Sequence, residues 1–314
     1  MLTSYTDCTV VGDVFYDLII QKDLSKITSI KNGTSYLPPT KLDFGGSGNI
    51  AVGLNRLGGS AKFIGKAGTD FLGELYQTNL TEEGVNAKMF FDPIHPTGVT
   101  LSFVDSSGER SFLVSRGAND FLLPKEINQC GNEIKKSKYV FISGYSLVNC
   151  PQRDAIIKAV EIAKTSDTKI VFDPSTYNLI GHERAVFESF VDLCDVITLN
   201  LAEAQAFTTH NVIEDIARYL SKRVSLIALR MGEEGCLIIT PDKKFKCPSN
   251  KVTCVDSTGA GDAFDSALIY GLIKELPIEK IGKLANWYAS FNVKSMGARI
   301  FPTNDEIKNY FSTL

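Results

Sequence analysis

Short apolar runs alternate with helical patterns along most of this 314-residue chain, and this alternation constrains its fold more than any other feature. The strand-like runs are rich in β-branched or apolar residues and occupy 9–11, 62–64, 139–142, 169–172, 196–199 and 226–229. Helical patterns fall at 51–57, 71–81, 153–164, 202–207, 262–275 and 278–293. Strands that alternate with helices favour parallel sheets, because each helix returns the chain to the start of the next strand. The sequence therefore predicts an α/β fold with a doubly wound, mostly parallel sheet flanked by helices.

Two stretches, about 14–42 and 97–116, break this alternation. The second contains two alternating runs separated by the turn sequence Asp105-Ser106-Ser107-Gly108, which is typical of a β-hairpin. We expect both stretches to form a small β-sheet that acts as a lid over one edge of the main sheet. The sequence has no internal repeat or Pro-rich linker, so we predict a single domain over 1–314.

The overall charge argues against a nucleic-acid partner. Lys and Arg total 33 against 36 Asp and Glu, which gives a formal charge of -3, and no basic run of the kind that follows a phosphate backbone is present. The first residues lack the pattern of a signal peptide, and no apolar run reaches the roughly 18 residues that a membrane span requires. We therefore expect a cytoplasmic protein without a membrane partner.

The segment from 256 to 264, DSTGAGDAF, combines small residues with the start of an apolar helix. Gly259, Ala260 and Gly261 allow successive backbone N–H groups to converge, and a helix N-terminus attracts anions. In a phosphoryl transfer, such an anion hole stabilises charge on the phosphate, and a carboxylate in the first turn accepts the proton of the attacking hydroxyl. Asp262 lies at that position. Taken alone, the segment is equally typical of an ordinary turn followed by an acidic helix start.

Further motifs make the sequence resemble the PfkB, or ribokinase-like, family of carbohydrate kinases. DSTGAGDAF is similar to the family signature DTTGAGD, and the segments FGGSGNIAVGLNRLGG from 44 and GKAGTDFLG from 65 are similar to its N-terminal glycine signature. The resemblance covers essentially the whole chain. It implies a ribokinase-like fold and an ATP- and Mg²⁺-dependent sugar kinase, with Asp262 as the general base and Thr258 among the nucleotide contacts.

The nucleotide side of the site is implied by two weaker motifs. Asn200 and Glu203 match the family's NxxE motif, in which Asn200 approaches the phosphates and Glu203 holds Mg²⁺ through water. Arg230, Gly232 and Gly235 match its TLGxxG nucleotide segment, with Arg230 in place of Thr as a permanent cation. Without the resemblance, Asn200 and Glu203 indicate a helix cap equally well, and Gly232 and Gly235 are more typical of a strand-ending hairpin.

The sugar side is implied near the N-terminus. Asp17 matches the family's acid that accepts hydrogen bonds from sugar hydroxyls, and we favour it over Asp13, which directly follows a strand. The backbone of Gly45 and Gly46 and the side chain of Asn49 complete the pocket by resemblance. Arg116, at the end of the predicted lid, is a further candidate that would reach over the substrate or the γ-phosphate when the lid closes. An exposed Arg on a strand edge fits the sequence equally well.

The sequence departs from the family in two places. Two residues separate Gly46 from Asn49, where the family usually has three, and this puts the substrate geometry in doubt. The segment from 173 reads DPSTYN, whereas many sugar kinases of the family have DPNxR. The missing Arg weakens the case for a substrate that carries a carboxylate or a phosphate.

Several alternatives remain open. A nucleoside kinase would use the same fold, with a base stacked on one of the aromatic residues Phe15, Tyr16, Tyr36 or Phe103. A regulator without activity would keep the fold but is expected to lack the carboxylate that Asp262 supplies. Family members that use K⁺ suggest a further site at Asp256 with backbone oxygens from 295–297. The edges of the predicted lid also suggest a homodimer.

Overall fold

The computed structural model describes residues 6–25, 33–34, 36–105, 110–175 and 183–313. Its main sheet has nine strands in the order β13-β12-β11-β10-β9-β8-β1-β4-β5. These strands are β1 Thr6–Val11, β4 Ala61–Gly68, β5 Asn86–Asp92, β8 Ser137–Ser143, β9 Lys169–Asp173, β10 Val196–Asn200, β11 Leu226–Arg230, β12 Cys236–Ile239 and β13 Lys244–Cys247. All neighbours pair in parallel except at β12 and β13, which are antiparallel.

Eleven α-helices lie within the described residues, and they cover both faces of this sheet. They are α1 Gly48–Arg56, α2 Phe71–Glu82, α3 Pro124–Gln129, α4 Gly131–Lys135, α5 Gln152–Ala163, α6 Arg184–Leu193, α7 Leu201–Thr208, α8 Ile213–Leu220, α9 Ala260–Ile273, α10 Ile278–Asn292 and α11 Asn304–Thr313. Helices α1, α2, α9, α10 and α11 contribute to one apolar cluster, and α3 to α8 contribute to a second.

Successive side chains along a strand point alternately into these two clusters. Val10 and Phe141 belong to the cluster with α9, whereas Val11 and Val140 belong to the cluster with α5. Because successive side chains of a strand point to opposite faces, the buried main sheet is apolar on both sides. The predicted doubly wound α/β architecture is therefore confirmed.

A second, four-stranded sheet has the order β3-β2-β6-β7. Its strands are β2 Val14–Ile20, β3 Lys41–Gly46, β6 Gly98–Val104 and β7 Arg110–Ser115. β2 pairs in parallel with β6, and the other two pairs are antiparallel. The predicted small sheet is thus present. Most of the turn predicted at 105–108, and the part of DPSTYN after Ser175, lie outside the described residues.

Only Gly12 and Asp13 connect β1 of the main sheet to β2 of the second sheet. Gly12 is needed at this connection, because a Cβ atom there would overlap the side chain of Ser47. The second sheet therefore begins directly at the carboxyl end of the central strand. None of the described helices is both long and apolar enough to span a membrane.

Candidate active site

A cleft of about 1480 Å³ lies between the carboxyl ends of the main strands and the second sheet. Four adjacent strands, β8 to β11, each end with a polar residue that lines it: Ser143, Asp173, Asn200 and Arg230. Ligands of doubly wound sheets bind at this edge, where the chain order reverses. Here the reversal occurs at β1, which has β4 on one side and β8 on the other.

Most of the residues predicted from the sequence line this one cleft. They are Asp17, Gly46, Arg116, Asn200, Glu203, Arg230, Gly232, Gly235, Thr258, Gly259, Ala260, Gly261 and Asp262. Asn49 lies directly behind the lining, where its Nδ2 atom donates a hydrogen bond to Asp262 Oδ2 at 2.9 Å. Gly45 also lies behind it, and its carbonyl oxygen accepts a hydrogen bond from Tyr76 at 2.7 Å.

The N-terminus of α9 faces the cleft and has the form expected of an anion site. Gly259 precedes the helix with φ +78°, and a Cβ atom there would overlap the carbonyl oxygen of Ala298. A Cβ atom on Gly261 would lie 2.7 Å from Nη1 of Arg230. The first N–H groups of a helix have no partner within the helix; that of Ala260 donates to the Ser257 carbonyl oxygen at 3.3 Å, and those of Gly261 and Asp262 are available to an anion. The two glycines let backbone and guanidinium approach closely.

Asp262 lies in the first turn of α9, half-buried beside this anion site. Its pKa is raised to about 6, mainly by burial, and the hydrogen bond from Asn49 opposes this rise. The charge of Asp173 contributes to this rise, while the charges of Arg230 and Arg299 oppose it. A carboxylate with a pKa of about 6 is ionised at neutral pH yet remains a stronger base than an exposed Asp. Asp262 is thus suited to accept a proton.

Arg230 lies beneath the anion site, surrounded by acids. Its Nη2 atom is 3.2 Å from Asp173 and 3.4 Å from Glu203, and its Nη1 atom is 3.6 Å from Asp265. Burial opposes its charge, but these three carboxylates outweigh that effect and raise its pKa. Burial likewise raises the pKa of Asp265 well above its usual value. The guanidinium is therefore a fixed positive charge next to Gly261.

Asn200 and Glu203 form a reciprocal cap at the start of α7. Oδ1 of Asn200 accepts from the Glu203 N–H at 2.9 Å, and the Glu203 carboxylate accepts from the Asn200 N–H at 2.7 Å. The helix cap that the sequence also allowed is thus present, and both residues line the cleft as well. Gly232 and Gly235 form the predicted turn after β11, with φ of +58° and +92°.

The side of the cleft that was predicted to bind the sugar is built on β2. Asp17 is paired in register with Asp43 on β3 and with Thr100 on β6. Burial, followed by the charges of Asp262 and Asp43, raises its pKa to about 7. A Cβ atom on Gly45 would overlap the Asp17 carboxylate, so the glycine leaves room for it. Gly46, with φ +76°, makes the next bend.

Arg116 lines the cleft with its charge already paired. Its Nη2 atom donates to Asp13 at 2.9 Å and its Nε atom to Asp120 at 2.5 Å. Asp13 is 1% exposed and also accepts hydrogen bonds from Ser146 and Gln152. In this conformation, Arg116 therefore holds Asp13 in place beside the cleft and does not extend across it.

Asp256 lies beside the loop that was expected to supply backbone oxygens to a cation. One carboxylate oxygen accepts from the backbone and hydroxyl of Thr258, and the other accepts from the Gly297 N–H at 2.9 Å. The carbonyl oxygen of Met296 accepts a hydrogen bond from Lys41 at 2.6 Å. Among the described residues, no group of three or more His, Cys, Asp or Glu side chains forms a metal site.

The aromatic residues proposed to stack a base are mostly elsewhere. Phe15 lines the cleft, but Tyr16 and Phe103 are buried outside it, and Tyr36 is 89% exposed at a distance from the lining. The aromatic residues that do line it, besides Phe15, are Phe112, Phe141, Tyr145 and Phe264. A pattern of apolar residues alone could not predict which face of the second sheet borders the cleft.

One known protein family matches nearly the whole chain. Residues 5–305 match the model of the pfkB family of carbohydrate kinases. The chain belongs to this family. Its predicted class of activity, that of an ATP-dependent phosphotransferase with an alcohol group as acceptor, is thereby confirmed, as is the resemblance from which it was inferred.

Curated relatives of the pfkB chain include sugar kinases. A deoxyribokinase from Salmonella typhi is 28% identical, and the match covers 98% of this chain and 99% of the relative. A 5-dehydro-2-deoxygluconokinase from Clostridium botulinum is 31% identical over 85% of this chain and 83% of the relative. The substrates of these relatives differ, so membership in the family leaves several sugars open.

Solved structures share the fold over almost the full length. Fructokinase from Vibrio cholerae, bound to fructose, ADP and calcium, has a TM-score of 0.82 and 26% identity and covers 98% of this chain and 99% of its own. Adenosine kinase from Sinorhizobium meliloti has a TM-score of 0.89 at 24% identity, with coverage of 98% and 100%. A putative ribokinase II from E. coli, in complex with ATP and Mg²⁺, has a TM-score of 0.85 at 21% identity, also with coverage of 98% and 100%.

The sequence analysis missed three charged residues that contact the predicted ones. Asp173 and Asp265 flank Arg230, and Arg299 contacts Asn49. Asp173 was noted only for the Arg missing after it, although its position at a strand end was a usable signal. Asp265 and Arg299 have no such signal, because each meets its partner only through the tertiary fold.

Proposed function

We propose that this chain transfers the γ-phosphoryl group of ATP to a hydroxyl of a neutral sugar, with Asp262 as the general base. The observation that carries the proposal is the position of Asp262 in the first turn of α9, next to the anion site formed by Gly259, Ala260 and Gly261. One helix turn thus offers both a proton acceptor and donors for a phosphate.

The proposed step is a direct displacement. The substrate hydroxyl oxygen attacks the γ-phosphorus, the bond between that phosphorus and the β,γ-bridging oxygen breaks, and ADP leaves with the bonding electrons. The hydroxyl proton passes to the Asp262 carboxylate. The backbone N–H groups at 259–261 and the Arg230 charge behind them stabilise the negative charge on the transferred group.

ATP and Mg²⁺ fit the residues at the other end of the cleft. The helix start, Thr258, Gly232 and Gly235 line this part of the cleft, and Glu233, between the two glycines, lines it as well. Mg²⁺ neutralises phosphate charge when it is bound, and it usually retains several waters. Glu203 lines the cleft and would hold it through such a water. A K⁺ site at Asp256 with the loop at 295–297 follows from the family resemblance alone, and a cation there would have to displace Lys41 from the Met296 carbonyl oxygen.

Paired charges favour a neutral substrate. Of the cations that line the described part of the cleft, Arg116 and Arg230 are each bonded to carboxylates. The remaining one, Lys251, lies in the 249–252 segment of the lining. The lining cation that follows the second sheet, on which Asp17 lies, is Arg116, so a phosphate or carboxylate beside Asp17 would face a cation that is already paired. Asp17 instead suits hydroxyl groups, each of which can donate to it.

A nucleoside kinase is the second candidate. The side chains of Phe112 and Tyr145 line the cleft and are 44% and 43% exposed, so each presents surface to a flat base. The adenosine kinase with the same fold makes this comparison relevant, although at 24% identity it supports the fold alone. The two candidates differ in the acceptor and share Asp262.

The test is ADP release with ATP and Mg²⁺ over a panel of neutral sugars, phosphorylated sugars and nucleosides. We expect turnover of a neutral sugar and a fall in kcat of roughly 10²- to 10⁴-fold for Asp262→Asn, because general-base catalysis contributes about that much. Asp154→Asn is the matched control, since Asp154 is an exposed acid in the first turn of α5. Turnover of a nucleoside alone would select the second candidate. Full activity of Asp262→Asn would overturn the proposed base.

We also propose a homodimer through the second sheet. Leu42, Leu18, Leu101 and Leu113 are register partners across all four strands, so they form one row on the face away from Asp17. Leu42 and Leu113, at the two ends of the row, are 53% and 48% exposed. A second copy presents the same apolar row, which is the requirement for a two-fold interface.

A further inference from the structure

The amide of Asn49 can adopt only one orientation in this site. Its Oδ1 atom accepts a hydrogen bond from Nε of Arg299 at 2.5 Å, and its Nδ2 atom donates to Asp262 Oδ2 at 2.9 Å. Arg has donors and no acceptor, and an ionised carboxylate has acceptors and no donor. A flipped amide would therefore oppose both neighbours. The contact with Arg299 thus directs the NH₂ group of Asn49 toward the proposed base.

Arg299 is itself held on several sides. Its guanidinium donates to the side-chain oxygen of Asn79 and to the hydroxyl of Tyr76, the latter at 3.1 Å. It also lies over the rings of Phe44 and Tyr76, at 4.8 and 5.2 Å from their centroids. These contacts leave the guanidinium little freedom, so the orientation of Asn49 is fixed from outside the cleft.

We propose that Arg299 is a positioning residue for phosphoryl transfer, which acts by locking the Asn49 amide so that it donates to Asp262. The hydrogen bond keeps one carboxylate oxygen of Asp262 occupied and leaves the other, Oδ1, to receive the substrate proton. This inference rests on the proposed role of Asp262 as the base. It goes beyond that role because it assigns the orientation of the base to a residue outside the cleft.

The charges around Asp262 determine the sign of the expected effect. Asp173 and burial favour its protonated form, whereas Arg230, Arg299 and the Asn49 hydrogen bond favour the carboxylate, and Asp17 interacts with it from β2. Removing Arg299 takes away one positive charge and frees the amide to turn. Both changes favour protonation, so the base becomes ionised only at higher pH. The acid limb of the kcat profile must then move to higher pH.

The experiment compares the pH dependence of kcat for the wild type, Arg299→Met and Arg299→Lys. For Arg299→Met, we expect the acid limb to shift upward by about one pH unit, so that kcat falls about tenfold below the limb and recovers at alkaline pH. Arg299→Lys keeps the charge without the planar fork and should shift the limb by less. Arg56→Met is the control, because Arg56 also lies over an aromatic ring but pairs with Glu83 rather than with Asn49.

A double-mutant cycle tests whether Arg299 acts through Asn49. In an Asn49→Ala background, Arg299→Met should shift the acid limb by less than it does when Asn49 is present, because only the direct effect of the lost charge remains. Equal losses at every pH with an unmoved acid limb would overturn the proposal, as would additive effects in the cycle. Circular dichroism and thermal unfolding of each variant identify a folding defect, in which case Arg299→Lys carries the test.

The outcome also separates this inference from the proposed function. If Asp262→Asn retains full activity, the proposed base is wrong and the inference fails with it. If Asp262→Asn is inactive and the pH profile of Arg299→Met matches the wild type, Asp262 remains the base and only the role of Arg299 is wrong.

Discussion

Gly259 carries a backbone conformation and a close contact that no other residue type allows. Its φ of +78° costs a non-glycine residue about 1 kcal/mol or more, and a Cβ atom would also overlap the carbonyl oxygen of Ala298. To relieve the overlap, either the start of α9 or the 297–299 segment must move. Both lie beside the proposed anion site, so the change reaches the chemistry directly.

We therefore predict that Gly259→Ala lowers kcat by at least about 100-fold, because a 1 Å displacement of a catalytic group costs about that much. The control is Gly58→Ala, where φ is +88° but no atom lies within 4 Å of an added Cβ. Both variants should lose a similar 1 kcal/mol or so of stability from backbone strain, measured by urea unfolding. Comparable activity of the two variants would contradict a close approach at Gly259.

At the level of single elements, the start of α7 combines two roles in Asn200. As the N-cap, its side chain satisfies the Glu203 N–H, and as a lining residue, it faces the proposed nucleotide site. A Ser at this position retains the cap but lacks the amide, whereas an Ala loses both. The two substitutions therefore separate helix stability from phosphate binding.

We predict that Asn200→Ser leaves the free energy of unfolding within about 0.5 kcal/mol of the wild type, and that Asn200→Ala lowers it by about 1 kcal/mol. Both should raise KM for ATP severalfold, measured at saturating sugar. An unchanged KM in Asn200→Ser would mean that the residue serves only the helix.

The sequence predicted the central elements better than the outer ones. The run at 196–199 and the helical pattern at 202–207 became β10 and α7, and no bound shifted by more than one residue. Strands β5, β12 and β13, which lie at the two edges of the main sheet, were not predicted. β12 and β13 have four residues each, too few for a clear period, and β13 is rich in Lys.

For the molecule as a whole, most motifs located the site because they lie at a strand end or a helix start. That placement explains why Asn200, Arg230 and Asp262 meet in one cleft, whereas Asp17, in the middle of β2, reaches it because β2 follows β1 after only two residues. Arg299 was missed for the opposite reason. It follows no strand, and its contact with Asn49 spans 250 positions that only the packed fold brings together.

The proposed homodimer is a further property of the whole molecule. We predict that the wild type sediments as a dimer and that Leu42→Glu sediments as a monomer, because a charge would be buried at the end of the apolar row. Val212→Glu is the control, since Val212 has nearly the same exposure, 52% against 53%, on α8's N-terminal side. A monomeric wild type, or a dimer unaffected by Leu42→Glu, would contradict the predicted interface.

The two-residue connection between β1 and β2 has a consequence for how the substrate can change during evolution. Side chains alternate along β2, with Asp17 toward the cleft and Leu18 in the leucine row. Inserting one residue at Gly12 or Asp13 would exchange the two faces, so that sugar binding and the apolar row would be lost together. New specificities are therefore expected to arise by substitution within β2, while the length of the connection before it stays constant.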